Sequence, residues 1–332
     1  MASITLSKAN FFHNLDIIKE QTQAIEKIAL VLKDNAYGHG LCEMAKLAKE
    51  YGITRAVVRS NEEAQTIEEF FEYVLVLADT PKIPSKKIRY TINDIKKISE
   101  FAKDSLVELK IDTGMSRNGI ASHEMQEALS LIKEQGLNLE AVFTHHACAD
   151  ELSGEYEKQK EKFEKIKKEL SKYSNLRFHS CNSAALFREE NFDEDMVRVG
   201  IGAYGCLELP FPSNAEELRP VLSLYAQKNS SREVNCGDCV GYGGTFSAKK
   251  SVLVSNYDFG YADGFLRSCA QGYKTPDNTN IAGRISMDNS SFVSDKEELL
   301  IFNDARDVAK YAGTISYEVL TALKPHLKRR LV

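Results

Sequence analysis

A lysine placed directly behind a buried strand is a candidate nucleophile, and Lys33 follows the apolar run Ile28-Ala29-Leu30-Val31-Leu32. An amine pointed into such a pocket loses hydration, which favours its neutral, nucleophilic form. Most lysines are solvated surface groups, so position alone does not decide the matter. Behind Lys33 come Asp34-Asn35-Ala36-Tyr37-Gly38-His39-Gly40, whose two glycines and phenol suit a tight turn passing close to a ligand. Further along, His179-Ser180-Cys181-Asn182-Ser183 and Arg198-Val199-Gly200-Ile201-Gly202 offer hydroxyls and glycine-freed N–H groups of the kind that cradle phosphate. On local sequence the glycines need only make a turn, and Ser183 need only cap the next helix. Together with Lys33, the two segments suggest a cofactor that forms a Schiff base and carries a phosphate. Pyridoxal phosphate does both.

The elements that would position these residues are β-rich runs at Ile28–Lys33, Thr54–Val58, Tyr73–Ala78, Arg89–Ile92, Leu106–Ile111, Leu139–His145, Arg177–Cys181 and Met196–Gly200. Amphipathic stretches such as Glu62–Glu72 and Met125–Glu134 separate most of them, so the strands should be parallel with crossover helices. Eight such units predict an α/β fold, a closed (β/α)8 TIM-type barrel, with its chemistry at the carboxyl ends of the strands. The Lys- and Glu-rich segment Glu155–Tyr173 carries Phe163, Ile166 and Leu170 at helical spacing, which makes its charges a solvated face. After about residue 205 the texture changes to β-type runs broken by Gly, Asn, Asp and Ser, as at Ser251–Ser255 and Ile281–Val293, with little helical periodicity before the end. The expected division is a barrel over residues 8–212 and a mostly β domain over 213–332, against which an N-terminal strand at 1–7 packs. The last helix, Ser316–Leu323, is broken by Pro325, and Lys328, Arg329 and Arg330 read as a solvated end.

At ~150 residues per domain, 332 residues agree with two domains. Lys plus Arg number 43 against 48 Asp plus Glu, a net charge of -5, so no basic surplus exists to hold nucleic acid or an anionic membrane. No apolar run approaches the ~18 residues of a membrane span. The start, Met1-Ala2-Ser3-Ile4-Thr5-Leu6, lacks the basic and apolar regions of a signal peptide, and a cytoplasmic location follows. Seven scattered cysteines fit reduced thiols. Cys236-Gly-Asp-Cys239 is half of a zinc or redox motif, or two unrelated cysteines; without a second pair of ligands no metal is expected.

The run Lys33-Asp34-Asn35-Ala36-Tyr37-Gly38-His39-Gly40 closely resembles the cofactor-lysine signature of the alanine racemase family, pyridoxal-phosphate enzymes of bacterial biosynthetic type. The resemblance continues through Lys110-Ile111-Asp112-Thr113-Gly114-Met115-Ser116-Arg117, Thr144-His145, Asn182-Ser183 and Arg198-Val199-Gly200-Ile201. In the second half it takes in Val240-Gly241-Tyr242-Gly243, Gly260-Tyr261-Ala262-Asp263-Gly264, Gly283-Arg284-Ile285-Ser286-Met287-Asp288 and Gly313-Thr314-Ile315-Ser316-Tyr317-Glu318. One such motif is weak evidence, but this many in one order covers nearly the whole chain.

The resemblance implies that Lys33 holds pyridoxal 5'-phosphate, with the phosphate bound by Tyr37, Ser183, the backbone of Gly200 and Ile201, and Tyr317. It implies that Arg198 faces the pyridine nitrogen. A guanidinium does not readily give up a proton, so that nitrogen stays unprotonated and the ring withdraws electrons less strongly. His145 would support Arg198 and the catalytic tyrosine, Arg117 would meet the cofactor's phenolic oxygen and the substrate carboxylate, and Lys110 is a candidate for carbamylation. Racemisation needs acid/base groups on both faces of Cα. The resemblance names Tyr242 of a neighbouring subunit as the partner of Lys33, with Met287 beside it offering an N–H to the substrate, and hence a homodimer with a two-fold interface. A phenol of ordinary pKa ~10 is a poor base, and the cation of Arg198 acting through His145 would favour its phenolate. Asp150, Tyr261, Arg267, Arg284, Ile315 and Tyr317 match positions along an access channel, a reading preferred over ordinary surface or interface arginines for Arg267 and Arg284.

The sequence departs from the family pattern at His146, at Gly241 and around Pro325-His326-Leu327, none of which removes a catalytic group. The implied activity is interconversion of L- and D-alanine for peptidoglycan. The competing readings are a racemase of the same fold for serine or a broader set of amino acids, a non-catalytic cofactor-binding barrel, and a related decarboxylase. A hydroxyl or methylene changes binding by only ~1–3 kcal/mol, so sequence judges the first of these weakly. The presence of Tyr242 and Met287 argues against the other two.

Overall fold

Short apolar runs closed by polar turns become eight parallel strands of the computed structural model, which describes residues 1–332. In chain order the first half contains β1 (Ser3–Leu6), β2 (Ile28–Val31), β3 (Arg55–Val58), β4 (Tyr73–Val76), β5 (Ile88–Ile92), β6 (Leu106–Asp112), β7 (Ile120–Ala121), β8 (Asn138–Phe143), β9 (Arg177–His179) and β10 (Val197–Val199). The barrel order is β10-β2-β3-β4-β5-β6-β8-β9, with β7 a short appendage on β6. β9 and β10 meet through a few bonds only, among them the Arg198 N–H to the Cys181 carbonyl at 3.0 Å. The barrel is therefore nearly closed.

Helices Lys8–Thr22, Leu41–Tyr51, Asn61–Ile67, Met125–Glu134, Glu155–Leu170 and Ser183–Arg188 cover its outside. The charged helix Glu155–Leu170 buries Tyr156, Gln159, Phe163, Ile166 and Leu170 and leaves its Lys and Glu residues on the other face. No α-helix follows β4 or β5, where a loop and a 3-10 turn at Ile95–Glu100 make the crossings instead.

The second half contains β11 (Leu222–Val234), β12 (Cys239–Val240), β13 (Phe246–Ser247), β14 (Val252–Tyr257), β15 (Ser290–Phe292), β16 (Glu298–Phe302) and β17 (Lys328–Leu331). Its sheet runs β15-β14-β11-β1-β17, with β16 also on β11, so the first strand of the chain lies inside the sheet of the second domain. A core cluster of 86 buried residues runs from the barrel into this sheet without a break. Three expectations fail here. The segment Ile281–Val293 is mostly loop, with only Ser290–Phe292 as strand. A helix at Ala305–Ala312 precedes Ser316–Ala322. At the basic end Lys328 and Arg330 are exposed as expected, but the segment is a strand paired in parallel with β1, and Arg329 is half-buried because its guanidinium reaches inward to backbone carbonyls.

Candidate active site

Lys33 stands just beyond β2, where Tyr204 donates a hydrogen bond to the Val31 carbonyl at 2.8 Å and fixes the strand end. The chain then makes a left-handed turn. Asp34, Asn35, Ala36 and Tyr37 all have φ between 51° and 57°, and Gly38 follows at 75°. Each non-glycine residue in this region costs roughly 1–2 kcal/mol, and local bonds must offset that. Glu63 accepts from the Asp34 N–H at 2.6 Å, and the Asn35 side chain accepts from the Leu41 N–H at 2.9 Å. The turn lifts Lys33 out of the apolar layer: its side chain is 36% exposed and its amine lies 3.6 Å from the Asp34 carboxylate. The buried amine expected from the apolar run is thus not found, because β2 ends at Val31 and the backbone changes hand immediately after Lys33.

Around this point the barrel mouth collects positive charge. Lys110, near the end of β6, is buried, and burial together with the Arg198, Arg117 and Lys33 cations holds its amine down at about 8. Arg117 is exposed on the loop after β6, where the Asp112 carboxylate accepts from the Gly114, Met115 and Ser116 N–H groups at 2.8, 2.9 and 3.1 Å. Arg198 on β10 is buried and donates to the Thr144 and Ser180 carbonyls at 2.8 and 2.9 Å and to His145 Nδ1 at 3.3 Å. Burial and the Arg198 charge push His145 well below the ordinary histidine range, so its ring is neutral. A guanidinium only donates, so Nδ1 is the acceptor and the ring proton sits on Nε2.

A second cluster of donors lies beside this one. Ser183 Oγ accepts from the Gly200 and Gly202 N–H groups at 3.0 and 3.2 Å, which leaves its own proton free to donate. The N-cap of the following helix is Asn182, not Ser183: the Asn182 side chain accepts from the Ala185 N–H at 2.9 Å. No acceptor in the chain takes the Ile201 N–H. The Tyr37 ring packs against Tyr204 and Tyr317, with centroids 5.2 and 5.9 Å away. Burial raises the Tyr37 phenol and, with the Asp150 charge, the Tyr317 phenol, so both remain protonated donors. A Cβ on Gly200 would come within 2.6 Å of Tyr37 Oη, so glycine is required for the approach.

Tyr242 lies on the β domain, on a loop between β12 and β13 whose residues Gly241 through Thr245 are all exposed. It is 68% exposed and Met287 is 55% exposed. The two share an open depression of about 560 Å³ with Tyr261, Arg267, Ile285 and Ser286. Gly260 allows the Tyr261 loop to lie directly against the Met287 carbonyl, to which the Ala262 N–H donates at 2.9 Å. Arg284 is exposed behind the Tyr242 loop, its guanidinium against Gly243. Ile315 and Asp150 are exposed near Tyr317.

A family model described as the alanine racemase N-terminal domain matches residues 6–208, and one described as the C-terminal domain matches 221–331. The chain belongs to the alanine racemase family. An alanine racemase from a Nitratiruptor species is 44% identical over 335 residues, covering 99% of both chains. A solved alanine racemase from Clostridium difficile 630 superposes with a TM-score of 0.89 at 29% identity, covering 100% of this chain and 95% of that one. The Bacillus anthracis alanine racemase with bound L-Ala-P gives a TM-score of 0.87 at 28% identity, with the same coverage. Members of the alanine racemase family are pyridoxal-phosphate-dependent isomerases that interconvert L- and D-alanine, and this chain is one of them. Its barrel mouth fits the cofactor: a cradle of N–H and hydroxyl donors that a single Cβ on Gly200 would fill, beside four cations. No helix is long and apolar enough to cross a membrane.

Some residues that hold this alanine racemase site together were not singled out in the sequence. Glu108 and His179 lie behind Arg198, inside the barrel. Glu63 holds the turn after Lys33, and Gln159 donates to the His145 carbonyl at 3.2 Å. Glu108 did leave a signal: it shares a strand face with Lys110, two residues on, within an apolar run. His146, a departure from the family pattern, is buried against the Ser180 hydroxyl at 2.9 Å, and burial lowers it to about 4.

Proposed function

We propose that the active species is a homodimer in which Lys33 of one protomer and Tyr242 of the partner subunit act on opposite faces of the alanine Cα. The observation that carries this reading is the exposure of Tyr242 and Met287 on one depression made wholly of β-domain residues, remote in composition from the Lys33 turn. An aromatic and methionine cluster left in water is the mark of a surface that another protein covers. A two-fold axis would present the cluster of each protomer to the barrel mouth of the other.

Within such a site, Tyr37, Ser183, Gly200, Ile201 and Tyr317 would hold the cofactor phosphate, Lys33 its aldehyde carbon, and Arg198 its ring nitrogen. When bound, the cofactor supplies a ring that withdraws the electron pair left at Cα. Arg117 and the Met287 N–H of the partner would hold the substrate carboxylate, which fixes which face of Cα each base meets. The Lys33 amine moves a proton on one face and the Tyr242 oxygen moves one on the other. The His145 Nε2 proton, set there by Arg198, is free to donate to the Tyr242 oxygen and stabilise it as an anion. Each turnover leaves the two groups with exchanged protonation states, so the reverse reaction starts where the forward one ends. Lys110, neutral in part near pH 8, would take up carbon dioxide as a carbamate and orient Arg117. Tyr261, Arg267, Arg284, Asp150 and Ile315 would line the access channel.

We assign the barrel to residues 8–212 and the β domain to 213–332, and the role to cytoplasmic supply of D-alanine for peptidoglycan. The test is α-proton exchange in heavy water. Tyr242→Phe should lower racemisation by about 10²–10⁴-fold yet retain exchange into one enantiomer. Equal exchange into both enantiomers would reject the two-face arrangement.

A further inference from the structure

The interior of a (β/α)8 barrel is ordinarily filled with branched apolar side chains. Here a line of polar groups crosses it. Glu108 on β6 is fully buried and accepts from the Tyr73 hydroxyl at 2.6 Å, from Arg177 Nη2 at 3.0 Å and from His179 Nε2 at 2.9 Å. His179, also fully buried, is stacked on Phe143 with centroids 4.7 Å apart, which fixes its ring plane. Its other nitrogen, Nδ1, accepts from Arg198 Nη1 at 2.5 Å. Since a guanidinium cannot accept, the tautomer is determined, and the run reads from the Glu108 carboxylate through His179 to Arg198. Burial alone would raise the Glu108 carboxyl, but His179 and Arg177 overcome it and hold the group at about 2. It is therefore an anion.

That anion is one of two carboxylates that favour the Arg198 cation. The acceptors of Arg198 are the Thr144 and Ser180 carbonyls and the two imidazoles, none of them a carboxylate. A buried cation without a nearby counter-charge is expensive to maintain. Glu194, whose carboxylate accepts from the Ser180 and Cys181 N–H groups, is the foremost anion that supports it. Glu108 adds charge one imidazole away, and its pull on the Nε2 proton makes Nδ1 a stronger acceptor. Four bonds from Nη1 and Nη2 pin the guanidinium, while Nε makes none within the chain.

We propose that Glu108 and His179 are positioning residues, a buried relay that fixes Arg198 so that its Nε–H edge is presented to the cofactor's ring nitrogen. The proposal rests on the reading that Arg198 faces that ring. It extends the reading by placing control of the ring's electron demand deeper in the barrel interior, among residues that touch neither cofactor nor substrate.

The test is the ¹⁵N resonance of pyridoxal phosphate labelled at the ring nitrogen and bound to the holoenzyme, together with the cofactor dissociation constant. Arg198→Ala marks the displacement that follows loss of the donor. Glu108→Gln is expected to move the resonance part of that way and to weaken retention by about tenfold, the scale of one charge-assisted bond. Tyr73→Phe removes one donor to Glu108, leaves Arg198 untouched, and should give a smaller displacement; it decides the matter if Glu108→Gln does not fold. A resonance unmoved by Arg198→Ala overturns the reading of Arg198 and the relay with it. A resonance moved by Arg198→Ala but by neither Glu108→Gln nor Tyr73→Phe overturns the relay alone.

Discussion

Arg329, on the last strand, donates two hydrogen bonds to the Gly38 carbonyl, at 3.1 Å from Nε and 2.8 Å from Nη2. Gly38 closes the left-handed turn that follows Lys33, so the β domain grips by its backbone the loop proposed to hold the cofactor. Removing that grip should loosen the turn without touching any reacting group. Arg329→Met is expected to cost about 2 kcal/mol of stability and to raise the dissociation rate of the cofactor. Thermal unfolding and a dilution chase measure the two effects; an unchanged rate would mean that the turn holds itself.

In the proposed phosphate site, Gly200 would set the width of the cradle. Gly200→Ala places a methyl group 2.6 Å from Tyr37 Oη, and a buried side chain cannot yield that much without repacking. Affinity for pyridoxal phosphate should fall by at least about tenfold while affinity for unphosphorylated pyridoxal stays nearly constant. Equal losses for both would point to general damage.

The Lys110 amine, held down at about 8 by burial and its cationic neighbours, carries a reactive neutral fraction at physiological pH that grows as pH rises through 8. Isotopically labelled bicarbonate should give a protein-bound carbamate signal that strengthens over that range and is absent from Lys110→Met. A signal that survives the substitution would place the carbamate elsewhere.

Acid should destabilise the fold in two stages. Burial lowers His39 and His146 from 6.5 to about 4, so the folded state prefers both rings neutral. The stability they contribute is present above pH 6.5 and is lost as pH falls towards 4, on the order of 3 kcal/mol for each. Glu108, lowered from 4.5 to about 2, adds a second loss between those values. His146→Phe keeps the ring that packs edge-on against Tyr156 and removes the titration. Its melting temperature should fall less steeply between pH 6.5 and 4 than that of the parent.

The barrel was legible because most of its strands are runs of buried residues and most crossings are amphipathic. Glycine and serine at the ends of β9 and β10 have ordinary uses in turns and caps, so the donor cluster stood out in the sequence only beside Lys33 and the family resemblance. The turn at Asp34–Tyr37 was not, since no propensity predicts four consecutive left-handed residues of which none is glycine. Neither was the role of Arg329: a basic triplet at a terminus reads as solvated until the partner strand β1 is known. Glu108 and His179 are 71 residues apart on different strands, and their contact exists only once the barrel closes. The segment Ile281–Val293 has strand-like composition, but its apolar residues Ile281, Ala282, Ile285 and Phe292 are buried from what is mostly loop.

The sharing of one site by two chains is tested most directly by combining two defective enzymes. Lys33→Ala and Tyr242→Phe are each expected to be almost inactive alone. Co-expressed in equal amounts, half of the dimers are mixed and each mixed dimer rebuilds one intact site, so activity should return to about a quarter of the parent level. Activity that stays at the level of the separate variants would show that Lys33 and Tyr242 act within one chain or not together at all.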